Sequence, residues 1–442
     1  MQNPVQEIEK KYEAVFAQIP EIARERAGKG TLTAMGYTSN LDILCDFSVE
    51  RLNELLDKYL KGASLQNMQI VSPIRSMEDL LQTIVYYCRM GIGGEVDLED
   101  TDLLNACFDL KYGMGGTAVQ AALALHMVGV PSVVHLTDDS KEVCEILDTP
   151  EIFAVSADGQ LEHTGRIQQT NDQEKHCIIQ FKKGDVIRLG EERVTIPCSN
   201  RLILTQITVN RYVPFNENYF RWIEEHAEKV NSNVLSSFNC LHEEEVLSAR
   251  LSYTKEHIAK YRKANPKGIV FFEDAHYHDS HIKALCQNWL YGEVDIVSLN
   301  EEELKDNLQH LYQREVDTDD ILECVEGARY IRRNYGVHKG VIIHTKDYAM
   351  YVGDPLEADI EKGLMCGNML ATAKAANGLY GTYDQIREIL GNSLSEKGVA
   401  DCIRLKELGA EDVTLVPSKY IDKPKYTIGL GDSFVGGVQI CF

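Results

Sequence analysis

From Arg201 onward, short apolar runs alternate with segments whose apolar residues recur every three or four positions. That is the pattern of strands and amphipathic helices winding a largely parallel sheet. The apolar runs predict strands over Arg201–Val209, Gly268–Asp274, Val294–Asn300, Gly340–Lys346 and Asp412–Ser418. Between them the periodicity predicts helices over Tyr219–Val230, Glu244–Ala264, Glu301–Leu311 and Thr318–Asn334. Two earlier strands, Leu32–Tyr37 and Ser132–Leu136, flank a helix that starts near Thr117. The first 27 residues read as an amphipathic helix interrupted at Pro20, because proline removes a helical N–H and crowds the preceding turn.

Residues 151–199 follow another rhythm. His176-Cys-Ile-Ile-Gln-Phe181 and Glu192-Arg-Val-Thr-Ile-Pro197 alternate between turn formers, with no long helix, which predicts a small β-rich insertion. Such an insertion on an α/β sheet suits a lid that excludes water from a reacting cleft. The expected division is a large α/β core over 1–42, 115–150 and 200–442, with a small lid over 151–199 and part of 43–114.

A chain of 442 residues with 44% hydrophobic content buries a sizeable core without staples. Its net charge of −23 opposes nucleic acid and anionic membranes, so the expected partners are small molecules and the chain a monomer or small homo-oligomer. Twelve scattered cysteines form no CxxC motif and read as reduced core residues. The chain opens without an apolar leader and has no stretch of about 18 apolar residues, so a soluble cytoplasmic protein is expected.

The strongest chemical signal is Thr427-Ile-Gly-Leu-Gly-Asp-Ser-Phe-Val-Gly-Gly437, after the last predicted strand and opening a final helix. Gly429 and Gly431 permit close backbone approach, the helix start offers unpaired N–H donors, and Asp432 places a carboxylate beside the bound anion. That carboxylate is positioned to accept the proton of an attacking hydroxyl, although a plain N-cap explains a bare GxGD equally well. In Val294-Asp-Ile-Val-Ser-Leu-Asn-Glu-Glu-Glu-Leu304, Asn300 and Glu303 suit a water shell around magnesium, or simply a well-capped helix. Glu273 ends a predicted strand, where α/β proteins bind ligands. His276, His278 and His281 lack the spacing of a zinc site and read as loop residues. Asn40 and Asp42 follow the first strand, and Gly115 and Gly116 precede a helix; both pairs suit a sugar ring, and turn chemistry also explains them.

Taken in order, these motifs resemble the ADP-dependent sugar kinases, the glucokinase and phosphofructokinase family of the ribokinase-like superfamily. Its Asn-x-Asp corresponds to Asn40 and Asp42, its Gly-Gly turn to Gly115 and Gly116, and its HxE to Glu273. Its NxxE corresponds to Asn300 and Glu303, its His-Thr-x-x-Tyr to His344, Thr345 and Tyr348, and its closing GxGD to Gly429, Gly431 and Asp432. The resemblance runs from about Gly36 to Phe442 and includes Val416-Pro-Ser-Lys-Tyr420.

The resemblance implies a three-layer α/β core with a largely parallel sheet and a β-rich lid. It implies transfer of the β-phosphoryl group of ADP to glucose or fructose 6-phosphate, releasing AMP, with Mg²⁺. It makes Asp432 the base, the N–H groups of Gly429 to Asp432 the anion hole, and Arg201 a phosphate contact. Glu273, Asn300 and Glu303 become the magnesium residues, and Asn40, Asp42, Glu95, Gly115 and Gly116 the sugar residues. His344, Thr345, Tyr348, Val416 and Gly431 line the nucleotide pocket. The sequence departs at HxE, whose histidine is Phe271. An ATP-using ribokinase-like kinase shares GxGD and the fold, and a catalytically silent sugar or nucleotide sensor remains the alternative from another class.

Overall fold

The computed structural model describes residues 4–167, 173–277, 279–312, 316–378 and 381–442. The chain divides into two compact units. One comprises Met1–Ser39, Gly116–Gln169 and Arg211–Phe442, the other Asn40–Gly115 and Thr170–Asn210.

Among the described residues the first unit is built on a ten-stranded sheet. Its order is Val413–Pro417, Tyr348–Gly353, Gly340–His344, Ile296–Asn300, Ile269–Glu273, Val230–Leu235, Leu32–Met35, Ser132–Val134, Ile152–Val155 and Leu161–His163. From Gly340–His344 to Ile152–Val155 every pairing is parallel. The outer strands at either edge return antiparallel. Runs such as Val341-Ile-Ile343 are fully buried, as expected where a sheet is covered on both faces and alternation with polar residues has no use.

The helix over Glu244–Ala264 has the bounds its periodicity predicts. The preceding helix does not reach Val230. It runs over Glu217–Glu225, capped by Asn216, because Val230–Leu235 is a central strand. That strand is cryptic in sequence because Asn231, Ser232 and Asn233 interrupt its apolar run; Asn233 is buried and bonds the His257 ring at 2.9 Å. The first helix is also corrected, running unbroken over Pro4–Lys29 with Pro20 inside. Tyr12, Val15, Phe16, Ile19 and Ala23 bury one face on both sides of the proline, so packing outweighs the lost backbone bond.

The second unit holds a five-stranded sheet in the order Gly94–Asp97, Asn200–Gln206, Lys175–Phe181, Asn40–Cys45 and Leu110–Gly115. A separate hairpin joins Val186–Leu189 to Glu192–Thr195. Unit boundaries therefore differ from the sequence-based ones in three places. The strand predicted over Arg201–Val209 belongs here, paired antiparallel with Lys175–Phe181, and not to the parallel sheet. Asn40, Asp42 and Gly115 lie on its strands as well. Conversely, Ile152–Val155 and Leu161–His163 extend the large sheet, parallel to Ser132–Val134 and then antiparallel. No helix among the described residues is long and apolar enough to cross a membrane.

His135 is buried beyond the Ser132–Val134 strand, with Nδ1 2.6 Å from the Tyr37 carbonyl and Nε2 accepting the Asn216 N–H at 2.9 Å. Burial pushes its pKa down to about 4, so the native protein keeps the ring neutral where the unfolded chain takes up a proton. The sign follows: stability is fully present above pH 6.5 and declines as pH falls toward 4. His135 alone accounts for a loss on the order of 3 kcal/mol over that range. Urea denaturation of wild type and His135→Gln at pH 7, 5.5 and 4 checks this, and an equal acid slope in both proteins contradicts it.

Candidate active site

The sharp turn after the last strand sets the geometry. Gly429 lies at φ +63° and caps a helix over Leu430–Val438. An L side chain there is strained, and a Cβ would collide with Gln120 Oε1 and stand 2.6 Å from Lys374 Nζ. The first backbone bond of this helix runs from Ser433 N to Gly429 O at 3.1 Å, leaving the N–H groups of Leu430, Gly431 and Asp432 outside the helical ladder. Glycines farther along let the helix sink between two others. A Cβ on Gly436 would press on the Ala121 carbonyl in the helix Thr117–His126. One on Gly437 would lie 2.6 Å from Gly367 in the helix Ile360–Asn377.

Asp432 is half-buried in the first turn of this helix. Loss of hydration raises its pKa, opposed by the Lys374 charge, a hydrogen bond with Thr117 and the His344 charge. The C-terminal ends of three parallel strands lie beside it. Glu273 and His344 end two of them, and His344 Nε2 is 3.0 Å from Glu273 Oε1. The His344 ring stacks on Phe434 at 4.7 Å, and its Cε1 would be 3.2 Å from a Cβ on Gly431. Phe271 is fully buried, and the imidazole that meets Glu273 is that of His344.

Asn300 and Glu303 cap each other's backbone: Glu303 Oε2 accepts the Asn300 N–H, and Asn300 Oδ1 accepts those of Glu302 and Glu303, all at 2.9 Å. Burial and the charges of Glu273 and Asp274 push Glu303 up to about 9. Glu273 itself is raised by burial, against His344 and Ser298. Glu273 Oε2 and Asp274 Oδ1 are buried without a hydrogen-bond partner, while Asp274 Oδ2 accepts the Tyr291 hydroxyl at 2.6 Å. Crowded carboxylates with orphaned oxygens fit a hard divalent cation. Among the described residues no group of three or more His, Cys, Asp or Glu is arranged to hold a metal ion by itself. Of the loop histidines, His281 lies on the helix Ser280–Leu290 and meets Glu244 at 3.0 Å, and His276 is exposed; His278 lies outside the described residues.

A cavity of about 400 Å³ opens beside the turn, lined among others by Asn300, His344, Thr345, Asn368, Gly431 and Phe434. Tyr348 and Val416, expected in this lining, are buried and do not reach it. The reason is local. Thr345 Oγ1 accepts the N–H groups of Asp347 and Tyr348 at 3.0 and 3.1 Å, so the chain reverses and Tyr348 begins an antiparallel strand that pairs with Val416's.

In the second unit Asn40 and Asp42 are buried, with Asn40 Nδ2 2.9 Å from Asp42 Oδ1 and 3.3 Å from His176 Nδ1. A Cβ on Gly115 would collide with both, so glycine is required at that register position. Glu95 and Arg201 are exposed on neighbouring strands of the same sheet. Gly116 belongs to the first unit at φ +92°, where a Cβ would strike the Thr38 carbonyl.

Sequence reasoning missed Lys374, Gln120, Thr117, Asp274 and, as a site residue, His176. Lys374 had a signal, being the lone charge in Gly363-Leu-Met-Cys-Gly-Asn-Met-Leu-Ala-Thr-Ala-Lys-Ala-Ala376. His176 emerges only from strand register, opposite Asp42.

Comparison with known proteins follows from this geometry. A family model described as the ADP-specific phosphofructokinase/glucokinase conserved region matches residues 32–437. The ADP-dependent glucose/glucosamine kinase of Pyrococcus abyssi is 24% identical, the match covering 96% of this chain and 95% of that protein. The ADP-specific phosphofructokinase of Thermococcus kodakarensis is 24% identical, over 95% and 96%. Among solved structures, the last common ancestor of ADP-dependent phosphofructokinases from Methanosarcinales matches with a TM-score of 0.78 at 21% identity, covering 99% of this chain and 98% of that one. A hypothetical ADP-dependent phosphofructokinase from Pyrococcus horikoshii OT3 matches with a TM-score of 0.76 at 19% identity, over 93% and 97%.

The two glycines of the turn differ in what they tolerate. Gly429→Ala is expected to lower the thermal midpoint by several degrees, through left-handed strain and the collision with Gln120. Gly431→Ala meets the His344 ring at 3.2 Å and Glu273 Oε1 at 3.9 Å, with no left-handed strain, and is expected to lower it less. Calorimetry of both variants tests this order, and a reversed order would refute the turn geometry.

Proposed function

The chain belongs to the ADP-specific phosphofructokinase/glucokinase family, and on that premise we propose that it transfers the β-phosphoryl group of ADP to a hydroxyl of glucose or fructose 6-phosphate and releases AMP. The observation that carries this reading is the turn at Gly429–Asp432, where three N–H groups outside the helical ladder adjoin a carboxylate whose pKa is raised. Donors fixed before the reaction suit the charge of a transferring phosphoryl group. Asp432 accepts the proton of the sugar hydroxyl as its oxygen bonds to the β-phosphorus. The bond from that phosphorus to the bridging oxygen breaks, and AMP leaves with the electron pair.

The cavity beside Gly431 is assigned to the nucleotide, with His344 and Thr345 in its wall. Glu273 and Glu303, the latter oriented by Asn300, would hold magnesium and its waters. When bound, that ion supplies positive charge to the phosphoryl oxygens. His344 fixes the Glu273 carboxylate, and the Thr117 hydroxyl steadies Asp432. Asn40 and Asp42, held by the close approach of Gly115, are assigned to sugar hydroxyls together with Gly116. Arg201 is assigned to phosphate, since its guanidinium is exposed and its planar fork matches phosphate oxygens. Glu95 favours glucose as the acceptor, a charged group that a sugar phosphate would have to avoid.

Incubating the protein and Mg²⁺ with ADP or ATP and a panel of glucose, fructose 6-phosphate, ribose and nucleosides, read by mass spectrometry, tests the reading. AMP and one hexose phosphate are expected from ADP, and Asp432→Asn lowers kcat by roughly a thousandfold with nucleotide binding retained. The base works ionised, so its raised pKa places the acid limb of kcat/KM above the ordinary carboxylate range. Ligand-induced stabilisation without product from any pair would replace the enzyme reading with a binding role.

A further inference from the structure

The helix Ile360–Asn377 is buried nearly all round, and Lys374 within it is only 3% exposed. An ammonium removed from water costs several kcal/mol unless its surroundings restore what hydration supplied. Methionine or leucine would fill such a place without that cost, so packing does not account for the charge. Lys374 Nζ contacts Gln120 Oε1, itself on a buried residue, and donates to the Gly429 carbonyl at 3.2 Å. The ring of Tyr426 is 5.9 Å away on another side. The same carbonyl also accepts from Ser433, through its N–H and its hydroxyl, both at 3.1 Å. The ammonium therefore binds the first carbonyl of the turn whose Leu430–Asp432 N–H groups lie outside the helical ladder.

We propose that Lys374 is a positioning residue for phosphoryl transfer, holding the Gly429 carbonyl so that the Leu430–Asp432 N–H groups face the transferring group and setting a positive charge behind them. This role rests on the kinase reading above. In a chain of net charge −23 a buried local cation changes the field an anion meets far more than the distant surface does. The same charge favours the ionised form of Asp432, which also faces the Thr117 hydroxyl and His344 and shares the strand-end cluster with Glu273.

Two variants separate positioning from mere packing. Lys374→Met keeps length and apolar volume and is expected to lower kcat about a hundredfold, with both KM values within about threefold and the acid limb of the pH profile moved upward. Gln120→Glu keeps the contact but neutralises the ammonium. It is expected to lower kcat at least tenfold while the thermal midpoint holds or rises. Under a purely structural role, the stronger pair would leave kcat untouched. Folded Lys374→Met with kcat within twofold of wild type would overturn the proposal. If that variant fails to fold, Gln120→Glu decides, and unchanged turnover in it overturns the proposal equally. Wild type assayed alongside keeps the two failures apart: a wild type that turns over no substrate pair removes the kinase reaction itself, whereas an active wild type with unimpaired variants removes only this role.

Discussion

The site depends on how closely three helices approach one another. Leu430–Val438 reaches the Ala121 carbonyl through Gly436 and the backbone of Gly367 through Gly437, at separations that leave no room for a single methyl group. Packing this tight constrains the helix axis, because neither neighbour can yield without displacing core. Its N-terminal N–H groups inherit that constraint. The Gly429 turn can then be left-handed and open toward a ligand, with its first carbonyl held by Lys374 and Ser433.

A second constraint is electrostatic. Asp432, Glu273, Asp274 and Glu303 gather at the C-terminal edge of the parallel strands, where each is raised by burial and Glu303 also by its acidic neighbours. The fold tolerates them through specific countermeasures: His344 on Glu273, Tyr291 on Asp274, the Asn300 backbone on Glu303, and Thr117 with Lys374 on Asp432. Two carboxylate oxygens are left over. Buried groups without partners are rare in folded proteins, and these stand where ligands bind in sheets of this topology.

How much of this was legible depended on which physical signal each residue carried. Glu244–Ala264 could be read to the residue because a long amphipathic period has few alternatives. Val230–Leu235 could not, since Asn231, Ser232 and Asn233 break its apolar run, and the His257 ring that meets the Asn233 amide comes from a distant helix that no local window contains. The turn at Gly429 was legible because glycine spacing reports backbone geometry directly. The placement of Tyr348 was not, because the hydroxyl of Thr345 reverses the chain between two motif residues that look adjacent in sequence. Lys374 illustrates the limit from the other side: its apolar neighbours in sequence mark it out, but what its ammonium meets emerges only once the neighbouring helices are in place.

The strand order carries a consequence for how the molecule comes into being. Leu32–Met35 precedes the whole second unit along the chain, yet it belongs in the middle of the large sheet, between Ser132–Val134 and Val230–Leu235. The whole second unit is encoded in the interval before that later partner is made. A nascent chain therefore holds this apolar strand unpaired on both edges until Ser132–Val134 is made, and on one edge until Val230–Leu235 follows. Such an exposed edge is the substrate that chaperones recognise and that aggregation exploits. Pairing of Leu32–Met35 with Val230–Leu235 thus closes a loop that contains the whole second unit, a constraint on the order of assembly that the finished contacts do not record.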